Sequence, residues 1–217
     1  MAEAVAPSCP LCHGNEVDVF VEVDEKRYWR CSACLLTFLD PDCRLAPEAE
    51  YAHYLSHENE INDPGYRAFL SRLATPLLEQ LPAVSSGLDY GCGPGPALAH
   101  MLREAGHAVA LYDPFFAKDE TVLSATYDFV TCTEVVEHLF DPAGEFKRFD
   151  QLLRPGGWLG IMTGFQADDD TFAAWHYHKD PTHVVFYKRE TLEFVAAGFG
   201  WQFECPTEDV ALMRKPH

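Results

Sequence analysis

Apolar and polar residues alternate along Val17-Asp18-Val19-Phe20-Val21-Glu22-Val23, a period of two that predicts a β-strand, and Arg27-Tyr28-Trp29-Arg30 reads as its hairpin partner. From Pro64 through Leu73 and on to Leu81 the spacing becomes helical, predicting a helix that covers a sheet edge. Gly87 and Leu88 lead into a strand, Pro96 to Ala105 has helical periodicity closed by Gly106, and His107 to Tyr112 is a second strand ending at Asp113. Tyr127 to Cys132 is a third strand. Asp141-Pro142 starts a helix through Leu153, the turn Arg154-Pro155-Gly156-Gly157 follows, and Trp158 to Thr163 is again a strand. Thr191 to Ala197 is a last helix ended by Gly198, and Trp201 to Glu204 pairs with Val210 to Met213 as a terminal hairpin. Strands alternating with helices predict an α/β sheet, with a small β module before it.

Length and charge narrow this picture. A chain of 217 residues with 47% hydrophobic content is long enough to bury one full core and carry a small accessory module. No apolar run approaches the roughly 20 residues of a membrane span, and Met1-Ala2-Glu3-Ala4 lacks the basic start of a signal peptide, so a cytoplasmic protein with no membrane partner is expected. Sixteen Lys plus Arg against 34 Asp plus Glu give a net charge of -18, which disfavours nucleic acid as a partner.

Two of the apolar strands are bracketed by cysteines. Cys9-Pro10-Leu11-Cys12 and Cys31-Ser32-Ala33-Cys34 are Cys-x-x-Cys knuckles separated by 18 residues, the spacing of a tetrahedral zinc ribbon. Four thiolates leave no open position, so the zinc is structural, substitutes for a core, and turns residues 1–45 into a staple or a docking surface for a protein partner. Residues 1–50 hold four Lys or Arg against ten Asp or Glu, which argues against nucleic acid on the ribbon. Cys43, Cys92, Cys132 and Cys205 have no such pairing and read as packing residues or free thiols.

The predicted strand-to-helix junction Leu88-Asp89-Tyr90-Gly91-Cys92-Gly93-Pro94-Gly95 is Asp-x-Gly-x-Gly-x-Gly, and the dinucleotide form Gly-x-Gly-x-x-Gly is not met. With Asp113 ending the next strand, this run resembles motif I of the class I S-adenosylmethionine (SAM)-dependent methyltransferases, of the type 11, 12 and 23 kind. The resemblance covers residues 84–217 and implies a Rossmann-like α/β sheet, joined to the N-terminal ribbon through a helical lid or linker at 46–83. It also implies that Gly91, Gly93 and Gly95 let the backbone approach the methionine moiety of SAM and that Asp89 faces its ammonium end. Asp113 would accept hydrogen bonds from both ribose hydroxyls, and Cys92, Pro114, Thr133 and Glu134 would complete the cofactor site. The chain departs from the family between Asp113 and Thr131, where 18 residues are too few for the usual third strand and helix. The adenine-binding acid has no clear counterpart; Asp119 and Glu120 are the nearest carboxylates.

Glu134, Glu137 and His138 stand at i, i+3 and i+4, which on one helical turn projects two carboxylates and an imidazole to one side. The run Tyr127 to Leu139 resembles the ubiquinone-biosynthesis O-methyltransferases, and its Glu-x-x-Glu-His also resembles the plant small-RNA terminal 2′-O-methyltransferases. Both resemblances imply a second divalent metal on Glu134, Glu137 and His138, and the one to the small-RNA enzymes adds His183 as fourth ligand, with metal-assisted O-methylation as the chemistry. A metal-free general base, or a pair fixing the helix start, fits the same residues. Trp175-His176-Tyr177-His178 would shape the acceptor pocket, with His178 as a further catalytic candidate, while Asp168-Asp169-Asp170 reads as a solvated turn and helix cap. Tyr51 and Tyr54, with His53 and His57 beside them, precede the helix from Pro64, and the tyrosines either form a lid over the cofactor or pack as an aromatic stripe on the sheet. A small-molecule acceptor is expected on charge; the alternatives are RNA modification and a non-catalytic SAM-binding scaffold.

Overall fold

The computed structural model describes residues 6–55 and 60–217; Met1 to Ala4 and His57 lie outside them. In chain order the elements are β1 (Val17–Val23), β2 (Lys26–Cys31), β3 (Thr37–Leu39), α1 (Pro47–Tyr54), α2 (Pro64–Gln80), β4 (Ser86–Tyr90), α3 (Ala97–Glu104) and β5 (Ala108–Tyr112). They continue with β6 (Tyr127–Thr133), α4 (Pro142–Leu152), β7 (Leu153–Met162), β8 (Val185–Phe186), α5 (Arg189–Phe199), β9 (Gln202–Thr207) and β10 (Val210–Arg214). Capping chemistry sets several starts: Asp63 accepts from the Tyr66 amide ahead of α2 and Asp141 from the Gly144 amide ahead of α4, each with proline in the first turn. Among the described residues no helix is long and apolar enough to cross a membrane.

The larger sheet has the order β5-β4-β6-β7-β10-β9. Strands β5, β4, β6 and β7 run parallel, and β10 is antiparallel to both β7 and β9. From β4 the chain moves outward to β5 and then returns to the other side of β4 as β6, so the strand order reverses at the carboxyl end of β4. Open α/β sheets bind ligands at such a switch point. The connection from β5 to β6 contains only a 3-10 turn, Glu120–Ser124, so the strand and helix missing from the sequence are missing from this Rossmann-like sheet as well.

The second sheet, β1-β2-β3-β8, joins the ribbon to the far end of the chain. Thr37 and Phe38 pair with Phe186 and Val185, and the Leu39 amide donates to the Val184 carbonyl (2.8 Å). The expectation that zinc substitutes for a core is therefore corrected. Tyr28, Trp29, Phe38 and Leu39 are buried in one apolar cluster with Phe172, Phe186 and Tyr187 of the larger domain. Each such side chain contributes about 1.5–3 kcal/mol by burial, so the ribbon is held by packing as much as by its cysteines. At its outer strand the register slips between Val19 and Val21, and Val19 turns outward at 51% exposure where strict alternation would continue.

Two further boundaries differ from the sequence reading. The segment Arg154-Pro155-Gly156-Gly157 lies inside β7, with Gly156 at φ 78°, and pairs with the C-terminal tail through Lys215. Helix α5 runs through Gly198 and ends at Gly200, which takes the left-handed conformation at φ 69°. Trp201, buried beyond it, gives the chain a reason to turn there.

Candidate functional site

A cavity of about 620 Å³ opens at the carboxyl ends of β4, β5 and β6, a volume typical of small-molecule sites. Its floor is the loop after β4. Gly91 and Gly93 sit at φ 77° and 62°, and their positive angles fold the loop so that its backbone faces the cavity. A Cβ on Gly91 would come within 2.3 Å of the Val135 side chain, so only glycine lets the loop and the end of β6 approach this closely. Asp113 fixes the loop from the next strand. One carboxylate oxygen accepts from the Gly93 amide (3.0 Å), the other from the amides of Phe115 (2.8 Å) and Phe116 (3.0 Å). Cys92, Pro114, Thr133, Glu134, His138 and His183 also line the cavity, and the buried Thr133 hydroxyl has no hydrogen-bond partner, as a group awaiting a ligand would not.

Two expected cofactor residues lie elsewhere. Asp89 is buried beneath the loop, where it accepts from the Thr131 hydroxyl (2.8 Å), and it does not border the cavity. Burial raises its carboxyl to about 6 against the pull of that hydrogen bond. Gly95 stands at the start of α3, its carbonyl accepting from Ala97, also off the cavity wall. Asp119 caps the 3-10 turn through Thr121 and, like Glu120, faces away. The carboxylate that borders this side of the cavity is Glu145 of α4, bonded to Tyr90 and flanked by Arg148. Nothing in the sequence pattern singled out Glu145, Arg148 or Tyr90, because their convergence depends on α4 packing across the end of β4. Helix α1 closes the cavity, with Tyr51 and Tyr54 each 5.3 Å from the Phe115 ring.

Next to the loop, one ligand atom each from Glu137, His138 and His183 lie within 4.8 Å of one another. These residues stand on a 3-10 turn, Val136–His138, and on the segment before β8, so the expected single helical turn is not formed. The Glu137 side chain has 0% exposure, with Thr163 donating to one oxygen (2.9 Å) and Tyr177 to the other (2.5 Å). Burial raises its pKa against those hydrogen bonds and the adjacent His183. His183 has its own pKa lowered by burial, against the charge of Glu137 4.0 Å away. Both imidazoles donate Nδ1–H to backbone carbonyls, His138 to Thr182 (3.1 Å) and His183 to Tyr177 (2.7 Å). A carbonyl cannot donate, so each ring presents Nε2 as its basic nitrogen, the arrangement that orients metal-ligating histidines.

Glu134 stands outside this group. Its backbone takes φ 51° and its carboxyl group lies 3.3 Å from the Tyr177 hydroxyl, whose single proton goes to Glu137, while burial and the nearby Glu137 raise its pKa to about 9. The expectation for His178 is corrected. It is buried, stacks on Phe172 (5.2 Å), and bonds to the Ala173 carbonyl on the ribbon side of the core. A 3-10 turn, His176–Lys179, sends adjacent side chains to opposite sides, so Tyr177 faces the carboxylates instead. The aromatic and histidine-rich run was a usable signal, but its period was not.

In the ribbon, Cys9 and Cys34 lie with sulfurs 3.5 Å apart, as do Cys12 and Cys31, and all four sulfurs fall within 4.8 Å of one another. Four sulfurs at about 2.3 Å from a zinc ion form a tetrahedron of edge about 3.8 Å, so the four cysteines fit the metal.

Comparison with known proteins gives a consistent neighbourhood. The profile of a family described as a methyltransferase domain matches residues 39–205. A ubiquinone biosynthesis O-methyltransferase of Leptothrix cholodnii is 51% identical over 39 residues, covering 18% of this chain and 17% of the relative. One from Yersinia pestis is 33% identical over 99 residues, covering 35% of this chain and 41% of the relative. The chain thus matches less than half the length of these curated relatives. The crystal structure of a methyltransferase of calicheamicin biosynthesis, with S-adenosylhomocysteine (SAH) bound, superposes with a TM-score of 0.50 at 14% identity, over 70% of this chain and 55% of that one. That likeness speaks to the fold.

Proposed function

Because this chain belongs to the methyltransferase-domain family, whose profile spans residues 39–205, we propose that it transfers a methyl group from SAM to a small-molecule acceptor. The observation that carries this reading is the junction of two features at the strand-order reversal: the Gly91–Gly93 loop pinned by Asp113, and the Glu137–His138–His183 cluster on the same cavity. When bound, SAM supplies an electrophilic methyl whose bond to sulfur breaks as the bond to the acceptor forms, the electron pair staying on sulfur.

The rest is the work of this chain's residues. The loop amides and Asp113 hold the cofactor's orientation, and a carboxylate accepting three amides keeps acceptor directions for ribose hydroxyls. His183 Nε2 takes the acceptor's proton. Glu137, buried 4.0 Å away, stabilises the resulting imidazolium. The nucleophile is accordingly a hydroxyl or another group that must ionise before it attacks. Glu137, His138 and His183 would also hold a divalent ion, which supplies the same ionisation by lowering the pKa of a bound hydroxyl. Cys9, Cys12, Cys31 and Cys34 hold a structural zinc.

The deciding experiment incubates the purified protein with methyl-labelled SAM and separated small-molecule, protein and RNA fractions of a cell extract. Label in the small-molecule pool with matching release of SAH is expected. Label confined to RNA or protein, or no turnover on any fraction, overturns the reading. Chelation followed by Mg²⁺ or Mn²⁺ separates the two proton-removal modes, because only the metal-assisted one loses and regains turnover.

A further inference from the structure

Two routes lead from the four cysteines of the ribbon to Glu137 and His183. The first runs through the backbone. Cys31 ends β2, and the turn after it is closed by the Leu35 amide on the Cys31 carbonyl (2.9 Å) and the Cys31 amide on the Leu36 carbonyl (3.0 Å). That turn sends the chain back as β3, which pairs with β8 just beyond His183. The Leu39 amide of β3 donates to the Val184 carbonyl (2.8 Å), and the Val184 amide donates in turn to the Glu137 carbonyl (2.9 Å).

The second route runs through side chains. Phe172, in the connection after β7, packs edge-on against Phe20 (5.4 Å) and Tyr28 (5.0 Å) of the ribbon. His178 stacks on Phe172 (5.2 Å), and Arg30 of β2 holds Asp169 (3.0 Å). Tyr177, the neighbour of His178, reaches both residues of the pair. Its hydroxyl donates to Glu137 (2.5 Å), its carbonyl accepts from His183 Nδ1 (2.7 Å), and its ring lies 4.2 Å from the His183 imidazole.

The cofactor loop is built differently. Asp113 pins it through the Gly93, Phe115 and Phe116 amides, and among the described residues no hydrogen bond joins residues 9–39 to Gly91, Gly93 or Asp113. Toward that side the ribbon makes a long bond, from the Ala143 amide at the start of α4 to the Pro10 carbonyl (3.3 Å).

We propose that the zinc ribbon is a positioning part of the active site: zinc on Cys9, Cys12, Cys31 and Cys34 fixes the turn into β3, and through β8 and Tyr177 this holds Glu137 and His183 in place, while cofactor binding proceeds without it. Without the ion, the bonds that draw two separate knuckles together are lost and β3 is no longer held at its start. The inference rests on the methyltransferase reading and adds to it what the ribbon does.

The test compares the full chain carrying zinc, the chain stripped of zinc by a chelator and returned to Mg²⁺-containing buffer, and the stripped chain given one equivalent of Zn²⁺. Three readouts are taken: SAH affinity by calorimetry, the His183 imidazole signal in nitrogen-15 NMR, assigned with His183→Gln, and SAH release from SAM with the small-molecule fraction. Stripping is expected to leave SAH affinity unchanged, to shift or broaden the His183 signal, and to slow SAH release by about 10- to 100-fold, since misplacement by about 1 Å costs that much. Added zinc should restore both. Cys31→Ser should behave as the stripped chain and gain nothing from zinc, which places the effect on the cysteines and not on the Glu137–His138–His183 cluster. Leu39→Pro removes the donor to Val184 and spares the zinc ligands, so it should keep zinc and SAH and still lose the His183 signal. An unchanged His183 signal in the stripped chain or in Leu39→Pro overturns the proposal. So does loss of SAH binding together with zinc, which would make the ribbon a support for the whole fold. The stripped chain carries no substitution and decides the matter if Leu39→Pro does not fold. Failure of the zinc-loaded protein to bind SAH would instead overturn the methyltransferase reading, and the His183 signal would still report what the ribbon holds.

Discussion

Asp113 pins the glycine loop from the next strand at the edge of the cavity. Three amides converge on it, including that of Gly93 in the glycine loop. Asp113→Ala leaves those donors unmatched and removes the carboxylate from the cavity, so SAH affinity measured by calorimetry should fall by about 10- to 100-fold, about 1.5–3 kcal/mol. Unchanged affinity would remove Asp113 from the cofactor site. Asp89 gives a different test because it is buried without bordering the cavity. Burial raises its carboxyl from 3.8 to about 6. The folded chain then holds the proton more tightly than the unfolded one, so the contribution of Asp89 to stability is greatest below about pH 4 and is lost as the pH rises through 6. The stability of Asp89→Asn relative to the parent protein should therefore improve by up to about 3 kcal/mol between pH 4 and 7, read by urea denaturation across that window. A difference independent of pH would show that Asp89 is ionised at no cost.

At the scale of elements, α5 gives a paired prediction. Gly198 lies within the helix with no atom within 4 Å of an added Cβ, whereas Gly200 is the left-handed cap. Gly198→Ala should stabilise by about 0.5–1 kcal/mol, and Gly200→Ala should destabilise by about 1 kcal/mol or more, both read from thermal unfolding. The reverse order would restore the earlier boundary at Gly198. The ribbon makes a second case. Phe38 is buried in the cluster shared by β3 and β8, and Val184, next to β8, donates its amide to the Glu137 carbonyl (2.9 Å). Phe38→Ala should cost about 3–5 kcal/mol of the whole protein's stability in a single transition. A separate early transition confined to the ribbon would show that the two sheets do not share a core. Cys31→Ser should release bound zinc, measured by metal analysis; full retention would overturn the four-cysteine site.

For the molecule as a whole, the net charge of -18 opposes binding to RNA, and methyl label should not enter purified RNA at any salt concentration. The sequence by itself determined whatever depends on local spacing. The glycine loop between Asp89 and Gly95, the paired Cys-x-x-Cys knuckles, the strand ending in Asp113 and the shortened passage to β6 were all legible, because turn chemistry, metal-ligand spacing and chain length act over a few residues. Only the tertiary structure decided which of two neighbours faces a site. Tyr177 meets Glu137 while His178 enters the core, Asp89 lies under the loop while Glu145 arrives from α4, and β8 pairs with β3, a strand nearly 150 residues earlier in the chain. Those outcomes are set by packing between distant segments. Burial of Phe172, Phe186 and Tyr28 against one another fixes the orientation of the His176–Lys179 turn, and no periodicity within that turn encodes it.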